Sequence, residues 1–189
     1  MKSKTRCPWV PEGDALYAKY HDTEWGVPVR TDRKLFEFLV LESFQSGLSW
    51  RTILHKRENF RKAFAGFDPK KVAKFTAKDF KRLMHDVGIV RNRLKIAAAI
   101  ANAKAFCAVQ KEFGTFAKYQ WSFVGGTPIK HSLKTLADYQ PTIPEARIMA
   151  KDMKKRGFKF LGPTTLYAHM QAVGMVNDHV RSCFRRAER

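Results

Sequence analysis

The sequence predicts an all-α protein. Apolar residues recur at intervals of three or four along most of the chain, which is the spacing of one face of a helix. Residues that cap helices stand in front of several of these stretches. We find no convincing alternation of apolar and polar residues, the pattern of a half-buried strand, and no internal repeat.

Two helices are predicted in the first third of the chain. Thr31-Asp32 can cap a helix that ends by Gly47. Ser49 can cap the next helix, which runs towards Phe64. Both expectations follow from the preference of Ser, Thr and Asp for the position just before a helix.

The middle of the chain carries further helix signals. Asp68 is followed by Pro69, and proline favours the first position of a helix. The pattern Thr76-x-x-Asp79 is a variant of the capping box. Beyond a glycine turn, an alanine-rich stretch from 92 to 109 is strongly helix-prone.

The last third is predicted to begin with a link rich in glycine, proline and polar residues, 125–144. Pro144 can start a helix that ends at Gly157. Pro163 can start another, which ends before Gly174.

The composition favours a nucleic-acid partner. The 189 residues include 36 lysines and arginines against 17 acidic residues, a net charge of +19. The excess is spread over an otherwise globular sequence, and such a charge favours a polyanion. Solubility alone is the alternative, although it does not require so one-sided a balance. We expect a single unit over residues 1–189, made of two helical lobes and monomeric.

The sequence gives no sign of a membrane span or of a secretory signal. Its three cysteines are an odd number without close spacing. That count argues against a disulfide scaffold and favours a reducing compartment. We therefore expect a cytoplasmic protein.

The chain ends carry four residues of the types that bind zinc. Cys7 and His21 lie near the start, and His179 and Cys183 near the end; a structural zinc site needs four such ligands around a tetrahedron. His179 and Cys183 are four residues apart, which on a helix would place both on one face. The pattern suggests a metal clasp between the chain ends. The alternative is that the cysteines are small buried residues and the histidines ordinary surface or core residues.

Residues 83–93, LMHDVGIVRNR, are predicted to join two helices through a tight turn at Gly88. A helix that begins beyond such a turn exposes backbone N–H groups and the positive end of its dipole. Arg91, Arg93 and Lys95 add charge beside them, so that the segment can grip a DNA phosphate without reading sequence. An ordinary helical corner with solvated arginines fits the segment equally well.

Several long blocks follow one another along the chain: RCPW (6–9), YAKYHDTEWGVP (17–28), LESFQSGLSW (41–50), KREN (56–59), WSF (121–123), KRGFKF (155–160) and MVNDHV (175–180). In these blocks and in the hairpin, over nearly its whole length, the chain resembles the 3-methyladenine DNA glycosylase I family of the helix-hairpin-helix superfamily. The resemblance implies a base-excision repair enzyme that hydrolyses the N-glycosidic bond of 3-methyladenine in alkylated double-stranded DNA. It also implies a bacterial protein, at the nucleoid when active, and a structural zinc on Cys7, His21, His179 and Cys183.

Methylation at N3 gives adenine a formal positive charge, so its pocket should combine a carboxylate with aromatic faces. Glu42 stands among apolar residues. By the resemblance it is the catalytic residue and accepts hydrogen bonds from the amino edge of the base. Trp50 stacks on the base, and Trp9, Tyr17 and Tyr20 complete the wall. From the residues alone, Glu42 could be an exposed acid on a helix, and the aromatic residues could belong to the core.

A base inside a duplex must be flipped out before it can be cut, and something must fill the gap that it leaves. The turn between Glu42 and Trp50 offers Leu48 as a wedge and Gln45 as a contact to the opposite strand. Leu48 could equally be a core residue.

Two features of the sequence limit the chemistry. No acid occurs between Gly88 and Glu112, where most glycosylases of the superfamily carry a catalytic Asp. Asn92 occupies the position of the lysine nucleophile of its bifunctional members. We therefore predict a monofunctional enzyme without lyase activity.

A non-catalytic module that binds DNA or alkylation damage is the alternative, because the charge and the hairpin fit both. Glu42 discriminates between them, since phosphate would repel a carboxylate in a DNA-facing cavity unless a cationic base enters. A catalytic zinc of the deaminase type is disfavoured, since the sequence lacks the His-x-Glu and Cys-x-x-Cys patterns of those enzymes.

Overall fold

The structure, a computed structural model, describes residues 4–186. The predicted unit of residues 1–189 therefore has its first and last three residues outside the described part. Within 4–186 the chain is mostly helical, and no helix there is long and apolar enough to cross a membrane. The α-helices in chain order are α1 (Ala15–Thr23), α2 (Asp32–Gln45), α3 (Trp50–Ala63), α4 (Pro69–Val72), α5 (Ala77–His85), α6 (Arg93–Phe113), α7 (Phe116–Ser122), α8 (Pro144–Lys155) and α9 (Pro163–Ala172).

The predicted helix starts are confirmed where a capping side chain marks them. The Ser49 hydroxyl accepts a hydrogen bond from the Thr52 N–H at 3.2 Å, so that α3 begins at the next residue. The Thr76 N–H donates to Asp79 at 2.9 Å, which completes the predicted capping box of α5. The alanine-rich helix α6 continues beyond the predicted end to Phe113.

Two parts of the prediction are wrong. Helix α7 was not expected, because five of its seven residues are buried and a helix that is buried almost all round has no amphipathic period. Two short strands were not expected either: β1 (Ile129–Lys130) and β2 (Val176–Asn177) pair in parallel, with Ile129 opposite Val176. Strands of two residues are too short to produce a detectable alternation. The strand β1 lies in the segment predicted as a loop-rich link.

Helix α2 occupies the centre of the molecule. Residues 35–44 are all buried, and α2 packs against α3, α6, α7 and α9. An α-helix with no solvated face in this stretch is a core element. Any polar side chain that it carries there is removed from bulk water, and Glu42 is one of them.

Candidate active site and metal centre

A cavity of about 200 Å³ opens beside the end of α2. Helices α1 and α9 and the first residue of α3 form most of its wall. The lining is mainly aromatic and consists of Trp9, Tyr17, Tyr20, Trp25, Glu42, Gln45, Trp50, Tyr139, Ala168 and Gln171. All five residues predicted to surround a base therefore face one small space.

Glu42 is the acid of this cavity. It is 4% exposed, and no described residue donates a hydrogen bond to its carboxylate or forms an ion pair with it. Burial raises the pKa of Glu42 to about 8, because a low-dielectric environment disfavours the charged form. A buried polar group without a partner inside the protein is a candidate for a partner outside it.

Trp50 supplies the complementary group. The ring centroids of Trp50 and Tyr20 are 5.1 Å apart, and Tyr20 is buried. The Nε1–H group of Trp50 is buried and finds no acceptor among the described residues. The cavity thus presents an unused donor and an unused acidic group between aromatic rings, a combination that suits a small, flat, polar ligand.

Four residues of this wall were not predicted from the sequence: Trp25, Tyr139, Ala168 and Gln171. The Trp9 Nε1–H donates to the Tyr139 hydroxyl at 3.2 Å. That hydroxyl in turn donates to the backbone oxygen of Asp178 at 2.9 Å. Tyr139 lies in the segment predicted as a link, and Gln171 lies on α9, which was predicted as a helix without site residues. No local sequence pattern predicts that either residue lines the cavity.

The turn that joins α2 to α3 begins at Gln45, which lines the cavity. The Leu48 N–H donates to the Gln45 oxygen at 2.6 Å, and Gly47 has a φ of 76°. The Leu48 side chain is 42% exposed. A second cavity, of about 280 Å³, lies between this turn and Thr164 and Thr165 of α9. The predicted wedge residue is therefore an exposed apolar side chain next to the aromatic cavity.

The loop between α5 and α6 has the predicted turn at Gly88. A side-chain oxygen of Asp86 accepts the Gly88 N–H at 2.8 Å. Lys56 and Asn59 of α3 donate to the Gly88 oxygen, each at 3.4 Å. A Cβ at position 88 would lie 3.1 Å from the Cβ of Asn59, so this close approach favours glycine, and a larger residue would require Asn59 to shift by a few tenths of an ångström.

Charged side chains follow this turn. Arg91 and Arg93 are exposed. The Asn92 side chain accepts the N–H groups of Leu94 and Lys95, at 3.0 and 3.1 Å, and thereby starts α6. The hairpin therefore presents two exposed guanidinium groups beside a helix N-terminus, and that of Arg93 lies 5.5 Å from the centroid of the Phe80 ring.

Lys95 does not have the predicted placement. It is 6% exposed, and its ammonium donates to the backbone oxygens of Phe44, at 2.8 Å, and Ser46. The ammonium is thus held by backbone oxygens and, unlike Arg91 and Arg93, Lys95 is not an exposed cation; its contact with a phosphate stays a prediction. Lys95 lies close to Arg91 and Arg93 in the sequence, and nothing in that local sequence indicates that Lys95 is buried while the arginines are exposed.

The four Cys and His residues of the chain ends form one buried cluster. The ligand atoms of Cys7, His21, His179 and Cys183 all lie within 4.8 Å of one another. Cys7 Sγ is 3.4 Å from His179 Nδ1. Cys183 Sγ is 3.4 Å from His21 Nε2 and 3.5 Å from His179 Nδ1. These residues can hold a metal ion.

His179 and Cys183 do not share a helix face, contrary to the prediction. His179 and Cys183 lie on the turn after β2, not on a helix; the Cys183 N–H donates to the Val180 oxygen at 2.9 Å. The turn folds the chain back, so that the two side chains meet although no helix face carries them.

Neighbouring groups fix both imidazoles. His21 Nδ1 is 2.8 Å from an oxygen of Asp22, and His179 Nε2 is 3.3 Å from the Trp25 backbone oxygen. Such partners orient histidines that bind metals. The imidazoles also contact the aromatic cavity: Trp9 lies edge-on to His21, with 5.1 Å between ring centroids, and Trp25 edge-on to His179, with 4.6 Å.

The sequence of this chain matches the family model described as methyladenine glycosylase over residues 9–186. The chain belongs to the methyladenine glycosylase family. The chain is 46% identical over 179 residues to the DNA-3-methyladenine glycosylase of Haemophilus influenzae, and the match covers 95% of this chain and 96% of that protein.

Solved structures of the family have the same fold as this chain. A crystal structure of 3-methyladenine DNA glycosylase I superposes with a TM-score of 0.92 at 48% identity, over 95% of this chain and 98% of that one. The Staphylococcus aureus enzyme, whose structure describes the recognition of 3-methyladenine, superposes with a TM-score of 0.89 at 38% identity, over 92% and 93% of the two chains.

Proposed function

We propose that this protein is a DNA repair enzyme that hydrolyses the N-glycosidic bond of 3-methyladenine in alkylated double-stranded DNA and releases the free base. The observation that carries the proposal is the buried carboxylate of Glu42, unpaired among the described residues in an aromatic cavity. Family membership supports it, because the relatives are DNA-3-methyladenine glycosylases by name.

The cavity favours a cationic base. Since burial raises the pKa of Glu42 to about 8, the acid is largely protonated at neutral pH while no cation is present. A cation within hydrogen-bonding distance favours the carboxylate, so that binding of the methylated base releases a proton. Ordinary adenine has no charge to provide this stabilisation.

Size and shape support a flipped base as the occupant. The volume of about 200 Å³ is below the roughly 300–1,000 Å³ of most small-molecule pockets. Aromatic rings on its walls offer the faces on which bases stack. A base can reach such a pocket only when it has left the duplex, and the exposed Leu48 beside the mouth is suited to fill its place.

The reaction requires only a modest rate enhancement from the protein. A cationic purine leaves as a neutral base, so cleavage of its glycosidic bond is intrinsically easy. A charge-assisted hydrogen bond contributes about 1.5–3 kcal/mol, and stacking contributes about 1–3 kcal/mol. If each acts on the transition state, each supplies one to two powers of ten in rate. Selectivity then comes from the lability of the substrate as well as from the pocket.

The proposed enzyme is monofunctional. A lyase would need an amine nucleophile beside the sugar, and the corresponding position holds Asn92, whose side chain caps α6. We therefore expect hydrolysis to leave an intact abasic site.

The hairpin is proposed to hold the duplex. In the manner of a helix-hairpin-helix element, the start of α6 and the exposed Arg91 and Arg93 would contact phosphates. We place the protein in the bacterial cytoplasm, at the nucleoid when it acts, as a monomer.

The clasp is proposed to bind structural zinc. With zinc–sulfur distances of about 2.3 Å and zinc–nitrogen distances of about 2.0 Å, tetrahedral S and N ligands stand roughly 3.5 Å apart. The sulfur–nitrogen distances of 3.4, 3.4 and 3.5 Å in the cluster fit this value. Four protein ligands would leave no position for a substrate, so the ion would stabilise the fold and take no part in the reaction.

The first test is chromatography of the bases released from methylated duplex DNA. We expect free 3-methyladenine from the wild type and a 10- to 100-fold slower release from Glu42→Ala. Glu58→Ala removes an exposed acid from α3 and is the matched control, with unchanged release expected. Circular dichroism and metal analysis of each variant verify the fold.

No released base from folded wild type that still binds DNA would refute the glycosylase and leave a damage-binding module. Undiminished release by Glu42→Ala would instead remove Glu42 from the mechanism. Strand cleavage at the abasic site by the wild type would contradict the monofunctional assignment.

A further inference from the structure

Lys95 is a buried charge that the proposed mechanism does not use. It lies in the first turn of α6, two residues after the exposed Arg93. Lysine is rarely buried to this extent unless its charge is paired, and desolvation lowers the pKa of Lys95 with no carboxylate among the described residues to offset it. The burial of its ammonium therefore requires another explanation.

The partners of Lys95 provide one. Its ammonium donates to the backbone oxygens of Phe44 and Ser46, where α2 ends. The last carbonyl groups of a helix accept no hydrogen bond from an N–H within the helix. A cation that donates to them satisfies these groups and also stabilises the negative end of the helix dipole. Lys95 thus caps the C-terminus of α2 from a different helix.

The two ends that this contact joins have different proposed roles. On one side lies the α5–α6 hairpin, which holds phosphates. On the other side lies the Gln45–Leu48 turn, which follows Glu42 by one helical turn and carries the exposed Leu48. Wedge insertion needs a fixed distance between the phosphate contact and the wedge, because both engage one duplex.

We propose that Lys95 is a positioning residue that ties the hairpin to the Gln45–Leu48 turn, so that duplex binding and wedge insertion occur in one fixed geometry. Lys95 then acts on DNA through the turn and touches neither phosphate nor base. This inference rests on the proposed function.

The test compares Lys95→Met, which keeps the apolar stem, with Arg91→Gln, which removes a proposed phosphate contact. Three quantities are measured for each. They are the affinity for undamaged duplex against salt concentration, the single-turnover rate of 3-methyladenine release at saturating enzyme, and the affinity for free 3-methyladenine.

For Lys95→Met we expect at least a tenfold slower saturated rate, with unchanged duplex affinity, salt dependence and free-base affinity. For Arg91→Gln we expect a salt slope lower by roughly one, since one phosphate contact is lost. A purely structural defect would lower free-base binding as well, and the proposal assigns no such loss to Lys95→Met. If Lys95→Met does not fold, Lys95→Gln, whose amide can donate to one carbonyl, is measured with the same expectation.

A lower duplex affinity and salt slope in the Lys95 variant, as in Arg91→Gln, would make Lys95 a phosphate contact and overturn the proposal. An unchanged saturated rate, or a loss of free-base binding, would overturn it as well. Failure of the wild type to release base would refute the proposed function itself, whereas normal release by both wild type and variant refutes only the role of Lys95.

Discussion

At the residue scale, Glu42 meets two opposing demands. In the proposed function its burial suits it to a cationic base, but the same burial makes its ionisation unfavourable in the folded protein. Burial raises the pKa of Glu42 to about 8 from its ordinary value of 4.5. Between these values the unfolded chain loses the proton that the folded chain keeps. Folding stability therefore falls as pH rises from about 4.5 to about 8. The same acid that would bind the base therefore lowers the free energy of unfolding at neutral pH.

Glu42→Gln should remove this cost. We expect its unfolding temperature to exceed that of the wild type by a margin that grows between pH 5 and pH 8. The shift from 4.5 to about 8 sets an upper bound of about 5 kcal/mol on the difference at the alkaline end. Calorimetry across this range measures it. Glu58→Gln, on a side chain 62% exposed, is the control, and parallel curves for Glu42→Gln and wild type would contradict the expectation.

At the scale of elements, helices are joined by side chains that satisfy the ends of their neighbours. Asp32 opens α2, yet its carboxylate accepts the N–H groups of Phe116 and Ala117 at the start of α7, both at 2.9 Å. It also accepts from Gln110 at 2.7 Å. Asp32 thus caps α7 from a distance and fixes it against α6, much as Lys95 caps the end of α2.

Asp32→Ala should destabilise the protein by about 1–3 kcal/mol, because it leaves the donors of α7 without an acceptor. Asp79→Ala removes only bonds within the start of α5 and should cost about 1 kcal/mol. Urea unfolding of both variants gives the comparison. A loss for Asp32→Ala no larger than that for Asp79→Ala would show that the contact between α2 and α7 contributes little.

The same elements explain what could be predicted from the sequence. Ser49 and Thr76 cap their own helices, so the starts of α3 and α5 were readable locally. Helix α7 also has a local cap, since the Thr115 hydroxyl accepts the Lys118 N–H at 3.1 Å, but it was missed because five of its seven residues are buried and leave no amphipathic period. Lys95 was expected beside the two exposed arginines, but its acceptors lie at the end of another helix. The predicted pocket residues of the family blocks line one cavity, whereas Tyr139 and Gln171 reach that cavity through tertiary packing alone.

At the scale of the whole molecule, the chain ends are brought together at the clasp. Cys7 and His179 are 172 positions apart and in contact. A bond that closes so long a loop restricts the unfolded chain, an effect of about 4–5 kcal/mol for a covalent link around 100 residues. The division into two lobes and the monomeric state stay predictions.

Removal of the metal should therefore destabilise the whole fold. We expect purified protein to contain one zinc ion, and Cys183→Ala to contain none and to unfold at a lower temperature. Cys107→Ser, outside the cluster, should keep the ion and the wild-type unfolding temperature. Elemental analysis and calorimetry measure both quantities. Wild type without zinc, or a Cys183→Ala variant of unchanged stability, would refute the structural metal.

The edge-on contacts of Trp9 with His21 and of Trp25 with His179 have a practical consequence. Trp9 and Trp25 line the aromatic cavity and pack against imidazoles that the metal would hold. A molecule without the ion is therefore expected to lose its ability to bind the base even where its helices persist. An active-site titration would then count loaded molecules rather than total protein. Specific activities of different preparations would become comparable once each is divided by its zinc content.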